Sequence, residues 1–186
     1  EYTSLPHQEA FNIEYWLLEE AKLQRMPKPK PLTGKIALIT GSAGGIGKAI
    51  AKRFVAEGGV VILNDMNAER LAEAGEEFKS LFGKDAYSTA ILNVTSEEDI
   101  KGAFAAAALA FGGVDIVVNN AGLSISKTIG DHTEKDWDLL YDVLVKGQFF
   151  VTQAATAVMQ KQGIGGDVIN IVSKNALVSG PNNAGY

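Results

Sequence analysis

The chain has 186 residues, is 46% hydrophobic and carries a net charge of −5. That suits one sizeable core plus an appendage, and the lack of any Lys/Arg cluster argues against a nucleic-acid partner, whose phosphates demand one. There is no cysteine, which removes disulfides and thiolate metal sites, and His7 and His132 stand far apart, so no metal centre is expected.

No apolar run reaches the roughly 18–20 residues that a bilayer crossing needs, and the opening Glu1-Tyr2-Thr3 does not read as a signal peptide. A soluble cytoplasmic protein without membrane contact is expected. A chain that opens on Glu1 instead of methionine is expected to be a fragment or a processed product.

Gln8 to Arg25 reads as a helix with Phe11, Tyr15 and Leu18 on one stripe, and Trp16 and Leu23 near it. Pro27, Pro29 and Pro31 then favour an extended, semi-rigid connector. Residues 1–31 are therefore an appendage and linker, and 32–186 a separate domain.

From Lys35 strands and helices alternate. Ile36–Ile39 is a strand, and Ile46–Glu57 a helix with Ile46, Ile50 and Phe54 on one face, ended by Gly58-Gly59. Val60–Leu63 and Ala86–Leu92 are strands on either side of an Ala68–Leu81 helix. Thr95-Ser96-Glu97-Glu98 reads as a capping box opening an alanine-rich helix to Phe111. Val114–Val118 is a strand, Glu134–Gln162 a long helical stretch interrupted at Gly147, and Val168–Val172 the fifth strand. Short apolar strands bounded by glycines suit burial on both faces. The alternation gives an α/β fold, a doubly wound parallel sheet with right-handed crossovers.

The run Thr40-Gly41-Ser42-Ala43-Gly44-Gly45-Ile46-Gly47 falls where the first strand ends and the first helix of that domain begins. A diphosphate needs backbone N–H groups at close range and gains from the helix dipole, and a Cβ would block the approach. Gly41, Gly45 and Gly47 serve the tight turn, the close approach and the helix–strand contact. Asp65 closes the second strand 18 residues after Gly47, where a carboxylate can accept both ribose hydroxyls of an adenosine. It would repel a 2′-phosphate, and no Arg immediately follows it in Asp65-Met66-Asn67, so the cofactor expected is NAD.

These residues resemble the short-chain dehydrogenase/reductase family. Its cofactor signature is similar to residues 40–47, its structural Asn-Asn-Ala-Gly element to Asn119-Asn120-Ala121-Gly122, and its catalytic serine and tyrosine to Ser173 and Tyr186, 13 residues apart. The resemblance covers about residues 33–186 and implies a Rossmann-type sheet, a small-molecule substrate and a homo-oligomer. By resemblance Ser42, Ile46, Met66, Asn93, Val94, Asn120 and Gly122 join Gly41, Gly45, Gly47 and Asp65 as cofactor contacts. Asn93 stands where an aspartate usually meets the adenine amine. Leu5–Phe11, Glu14-Tyr15-Trp16, Ala21–Arg25 and Ser173-Lys174-Asn175-Ala176 are similar to bifunctional rhamnulose-1-phosphate aldolase/short-chain dehydrogenases. That closer resemblance implies an aldolase domain ahead of the helix and lactaldehyde as substrate; the alternative readings are a dinucleotide-binding module with little catalysis and a polyol or sugar alcohol dehydrogenase.

Two departures bear on the chemistry. A phenol with an ordinary pKa of about 10 is a poor base unless a cation stabilises its anion. The family's lysine for this lies four residues past the tyrosine, and the sequence ends at Tyr186. These residues alone, without that lysine and two further strands, are expected to be inactive and to leave the fifth strand as an open edge. Lys174 is not expected to substitute, because neighbouring strand residues face opposite ways. The family also places an asparagine, part of a proton relay, where Leu144 stands. Either the relay is rebuilt otherwise or the chemistry needs it less, as a hydrated aldehyde would. Glu97, Glu98 and Asp99 read as first-turn acids of a helix, and Thr133 with Asp136 as a helix cap in preference to a metal or base site with Asp131 and His132.

Overall fold

The computed structural model describes residues 6–178 and 180–186. Leu5, which opens the aldolase-linked run, lies outside the described residues. The chain divides into two compact units, Glu1–Lys30 and Pro31–Tyr186.

In the first unit α1 spans His7–Arg25, and its Phe11 and Tyr15 rings stack one helical turn apart at 6.2 Å between centroids. A lone helix cannot make a core, and no residue of α1 is buried. Met26 is extended, which stops the helix just ahead of Pro27 as the restriction on pre-proline residues requires.

The second unit runs β1 (Ile36–Ile39), α2 (Gly45–Ala56), β2 (Val60–Asp65), α3 (Ala68–Phe82), β3 (Tyr87–Ile91), α4 (Glu97–Phe111) and β4 (Ile116–Asn119). It continues through α5 (Glu134–Tyr141), α6 (Gln148–Gln162) and β5 (Asp167–Asn170). All neighbouring strands pair in parallel, in the order β3-β2-β1-β4-β5. Strand alternation separates two cores. Ala37, Ile39, Val61 and Leu63 pack with Phe54, Leu71 and Phe78 from α2 and α3, whereas Leu38, Ile62 and Val117 pack with Ile100, Phe104, Val151 and Ala155 from α4 and α6. Helices therefore cover both faces, which is the doubly wound architecture read from the sequence. The chain winds outward from β1 through β2 to β3, then crosses to β4 and β5, so a crevice opens between β1 and β4 at their carboxyl ends.

Three local readings change. The buried face of α2 is Gly47, Ala51 and Phe54, and Ile46 is 63% exposed, because the helix starts at Gly45 and turns its first side chain outward. The cap of α4 is Ser96, whose hydroxyl accepts the Asp99 N–H; Asp99 in turn accepts the Asn93 N–H, so no Thr95–Glu98 box forms. The stretch read as one helix broken at Gly147 is α5, a π-helical turn over Asp142–Gly147, and α6. Gly147 has no room for a Cβ, which would press on Val94. Thr133 and Asp136 do form the capping box expected at the start of α5.

Candidate functional site

The glycine turn leaves β1 at Thr40. Gly41 takes φ +64°, a region that L side chains rarely adopt, and a Cβ there would also sit 3.1 Å from the Ala121 backbone. At Gly47 a Cβ would come within 2.5 Å of both Asn120 Nδ2 and the Gly41 carbonyl, so only glycine lets α2 lie this close to β4. The two segments are also bonded. The Thr40 hydroxyl oxygen accepts the N–H groups of Asn120 and Ala121 at 3.0 and 2.9 Å. Asn120 Nδ2 donates to the carbonyls of Thr40 and Gly41 at 2.9 and 3.1 Å.

A cavity of about 780 Å³ lies over this turn. It is lined by Gly41, Gly45 and Ile46 of the turn, Asp65 at the end of β2 and Met66 beyond it, Asn93 and Val94 after β3, and Asn120 and Gly122 after β4. Nine of the residues expected to touch a cofactor thus meet in one place. Ser42 and Gly47 do not line it. Ser42 is 0% exposed, and its hydroxyl accepts the Asn64 N–H at 2.8 Å, tying the turn to β2. Gly47 packs beneath. Asn120, though it lines the cavity, spends its side-chain donor on the turn. Asn119 reaches the other way, donating to Thr152 of α6 and Asn170 of β5.

Around the cavity the acids and amides are fixed. Asp65 is nearly buried, and its Oδ1 accepts the Asn67 N–H at 3.0 Å; Asn67 caps α3 by accepting the Arg70 N–H at 2.9 Å. Asn93 Oδ1 accepts both the N–H and the hydroxyl of Thr95, leaving its amide nitrogen as the end free to face a base. Arg70, Gly44, Asn67, Leu92, Ala121 and Val143 also line the cavity and were not singled out from the sequence. The Arg70 guanidinium lies where a Cβ on Gly44 would stand, so the bare glycine makes room for it. Arg70 has no carboxylate partner among the described residues. A turn of bare backbone, a helix N-terminus, a carboxylate and a cation fit a dinucleotide.

A second cavity, of about 520 Å³, adjoins the first and shares Ile46, Asn120, Ala121 and Gly122 with it. Ser173 and Tyr186 both line it, as do Leu144, Gln148 and Lys174. The strand ends at Asn170, and Ser173 caps a 3₁₀ turn over Lys174–Ala176, its oxygen accepting the Asn175 N–H at 3.2 Å. Strand alternation, the premise on which Ser173 and Lys174 were expected to face opposite ways, therefore does not apply there, and both residues border one cavity. The π-helical turn similarly puts Val143 on the first cavity and Leu144 on the second. Leu144 Cδ2 would lie 3.3 Å from a Cβ on Gly122.

The segment carrying Tyr186 is fastened to the loop after β4. Lys127 donates its N–H to the Asn182 carbonyl, and its ammonium meets Asp136 Oδ2 at 2.6 Å. That ammonium, followed by the Thr133 N–H and hydroxyl, holds the Asp136 carboxyl well below the usual carboxylate range. No cluster of His, Cys, Asp or Glu suited to a metal ion occurs among the described residues. None of their helices is long and apolar enough to cross a membrane.

Comparison with known proteins bears on the same residues. The family model described as short chain dehydrogenase matches residues 35–186, and that of aldolase class II, second domain, matches residues 1–23. An uncharacterized oxidoreductase, YuxG of Bacillus subtilis, is 42% identical over the whole of this chain, which spans 27% of that protein. A gluconate 5-dehydrogenase from Burkholderia cenocepacia in complex with NADP and tartrate superposes with a TM-score of 0.75 at 33% identity, covering 83% of this chain and 60% of that one. The L-sorbose reductase of Gluconobacter frateurii complexed with NADPH and L-sorbose gives 0.78 at 31%, covering 85% and 59%. The chain thus spans less than two thirds of the length of each of these three relatives. With a matching family model over 35–186 and a sheet, glycine turn and pair of cavities arranged as described, the chain belongs to the short-chain dehydrogenase family.

Proposed function

We propose that the chain holds NAD and carries the Ser173–Tyr186 pair of a dehydrogenase acting on a small hydroxy-aldehyde or alcohol, with lactaldehyde as the favoured substrate. The observation that carries this reading is the continuity of the two cavities through Ile46, Asn120, Ala121 and Gly122. A ligand anchored on the glycine turn and Asp65 would extend past Gly122 to the serine and tyrosine.

When bound, the nicotinamide supplies the hydride acceptor. The residues of this chain do the rest. Asp65 would accept the adenosine ribose hydroxyls, and the α2 N-terminus would hold the diphosphate. Ser173, whose oxygen already accepts the Asn175 N–H, keeps its own proton to donate to the substrate oxygen. Tyr186 takes the hydroxyl proton, with a lysine one helical turn beyond it expected to stabilise the phenolate. Leu144 offers no hydrogen bond, which suits a hydrated aldehyde.

The aldolase reading draws on the match at residues 1–23 and on YuxG, a protein nearly four times this chain's span by its 27% coverage. In it an aldolase domain precedes α1 and hands its aldehyde product to the dehydrogenase half. A second reading, a polyol or sugar-acid dehydrogenase using NADP, draws on the two solved relatives and on Arg70 beside the cofactor cavity.

NADH formation by the full-length protein with lactaldehyde and with a panel of polyols separates these. Turnover of lactaldehyde with NAD is expected. Turnover confined to a polyol favours the second reading, and no turnover with NAD still bound leaves a dinucleotide-binding module and ends the dehydrogenase claim.

A further inference from the structure

Among the described residues that line the reaction cavity, Lys174 is the only one whose side chain is charged at neutral pH. The others are apolar or carry neutral amides and hydroxyls. Lys174 is the first residue of the 3₁₀ turn that follows Ser173, and its carbonyl is bonded to the N–H groups of Leu177 and Val178. Its backbone is therefore pinned beside the serine. Its ammonium pairs with no carboxylate among the described residues. Lys174 is exposed, so its ammonium can turn to a ligand, and a cavity with no anion among its described lining residues favours a ligand that brings one.

We propose that Lys174 is the specificity residue for a carboxylate: the cavity takes small hydroxy carboxylates, whether as the acid formed from a hydroxy-aldehyde or as a hydroxy acid that is itself oxidised. The inference rests on reading Ser173 and Tyr186 as the reaction centre. Its chemistry is consistent with that reading, because oxidation of an aldehyde ends in a carboxylic acid, ionised at neutral pH. A carboxylate accepting from the ammonium makes a charge-assisted hydrogen bond, which a neutral alcohol of the same size cannot match.

The test is calorimetric titration of the full-length protein, saturated with dinucleotide, with L-lactate and with its neutral counterpart 1,2-propanediol. Lactate is expected to bind about tenfold more tightly or better. Lys174→Gln should erase that difference and Lys174→Arg should largely keep it, a pattern that a merely structural role would not produce. Raising ionic strength should weaken lactate alone. Equal binding of the two ligands, or an unchanged preference in Lys174→Gln, overturns the proposal. Assays with NAD then sort the two sources. NADH formed from lactate marks a hydroxy acid substrate, and lactate inhibition of aldehyde oxidation marks a product. Lactate binding through Lys174 with no turnover of any alcohol or aldehyde sinks the dehydrogenase reading and leaves the carboxylate site standing.

Discussion

Thr40 and Asn120 hold one another beneath the cavity that lies over the glycine turn. The Thr40 hydroxyl oxygen accepts the Asn120 N–H at 3.0 Å, and Asn120 Nδ2 donates to the Thr40 carbonyl at 2.9 Å. The end of β1 and the end of β4 are thereby made one rigid edge. Replacing Asn120 with alanine strips the side-chain donor from two carbonyls while leaving the backbone bonds to Thr40 in place. Dinucleotide affinity is expected to fall about tenfold, with a loss of about 1–3 kcal/mol in stability. Fluorescence titration and denaturant unfolding check the two effects separately. A stability loss with unchanged affinity would show that the turn's geometry does not depend on this brace.

Asp65 and Arg70 place opposite charges on the lining of one cavity. Asp65→Asn keeps an acceptor oxygen and removes the charge. NAD affinity should fall and NADP affinity rise, moving the preference by about ten- to a hundredfold. Arg70→Gln should weaken NADP more than NAD. Parallel titrations with both dinucleotides decide, and an unchanged ratio in Asp65→Asn would remove the carboxylate from the ribose.

Leu144 borders the cavity that Ser173 and Tyr186 also line, at the position where the family resemblance implies an asparagine. If the substrate reacts as a hydrated aldehyde, Leu144→Asn should change the rate of the full-length enzyme by less than about threefold, an effect under 1 kcal/mol on the barrier. A large gain measured with the same aldehyde would mean that a proton relay was lost and not replaced.

The Lys127–Asp136 pair fastens the loop after β4 that also holds Asn182, close in sequence to Tyr186. Because the folded Asp136 carboxyl lies below its ordinary value of 3.8, its contribution to stability is complete above that value. It is lost as pH falls through the depressed folded value. The melting-temperature gap between the wild type and Asp136→Asn should therefore be flat from about pH 5 to 8 and narrow below about pH 4. A gap that instead widens on acidification would contradict the assignment of the ion pair.

What the sequence determined by itself was everything set by neighbours along the chain. The strand, glycine turn, helix and Asp65 follow one another within about one βαβ unit, so their periodicity and spacing locate the cofactor cavity. Capping by Thr133 and Asp136 is local in the same way, three residues apart on one turn. Tertiary structure decided the rest, because it depends on which way a side chain leaves an irregular backbone and on what crosses from another strand. Ser42 was spoken for by Asn64 on β2, and Ile46 left the core because α2 begins at Gly45. Arg70 reached the cavity because Gly44 has no Cβ to obstruct it. A π-helical turn divided Val143 and Leu144 between two cavities, and a 3₁₀ turn put Lys174 beside Ser173. Period-2 and period-3.6 patterns describe regular elements, and these residues sit where the regular elements stop.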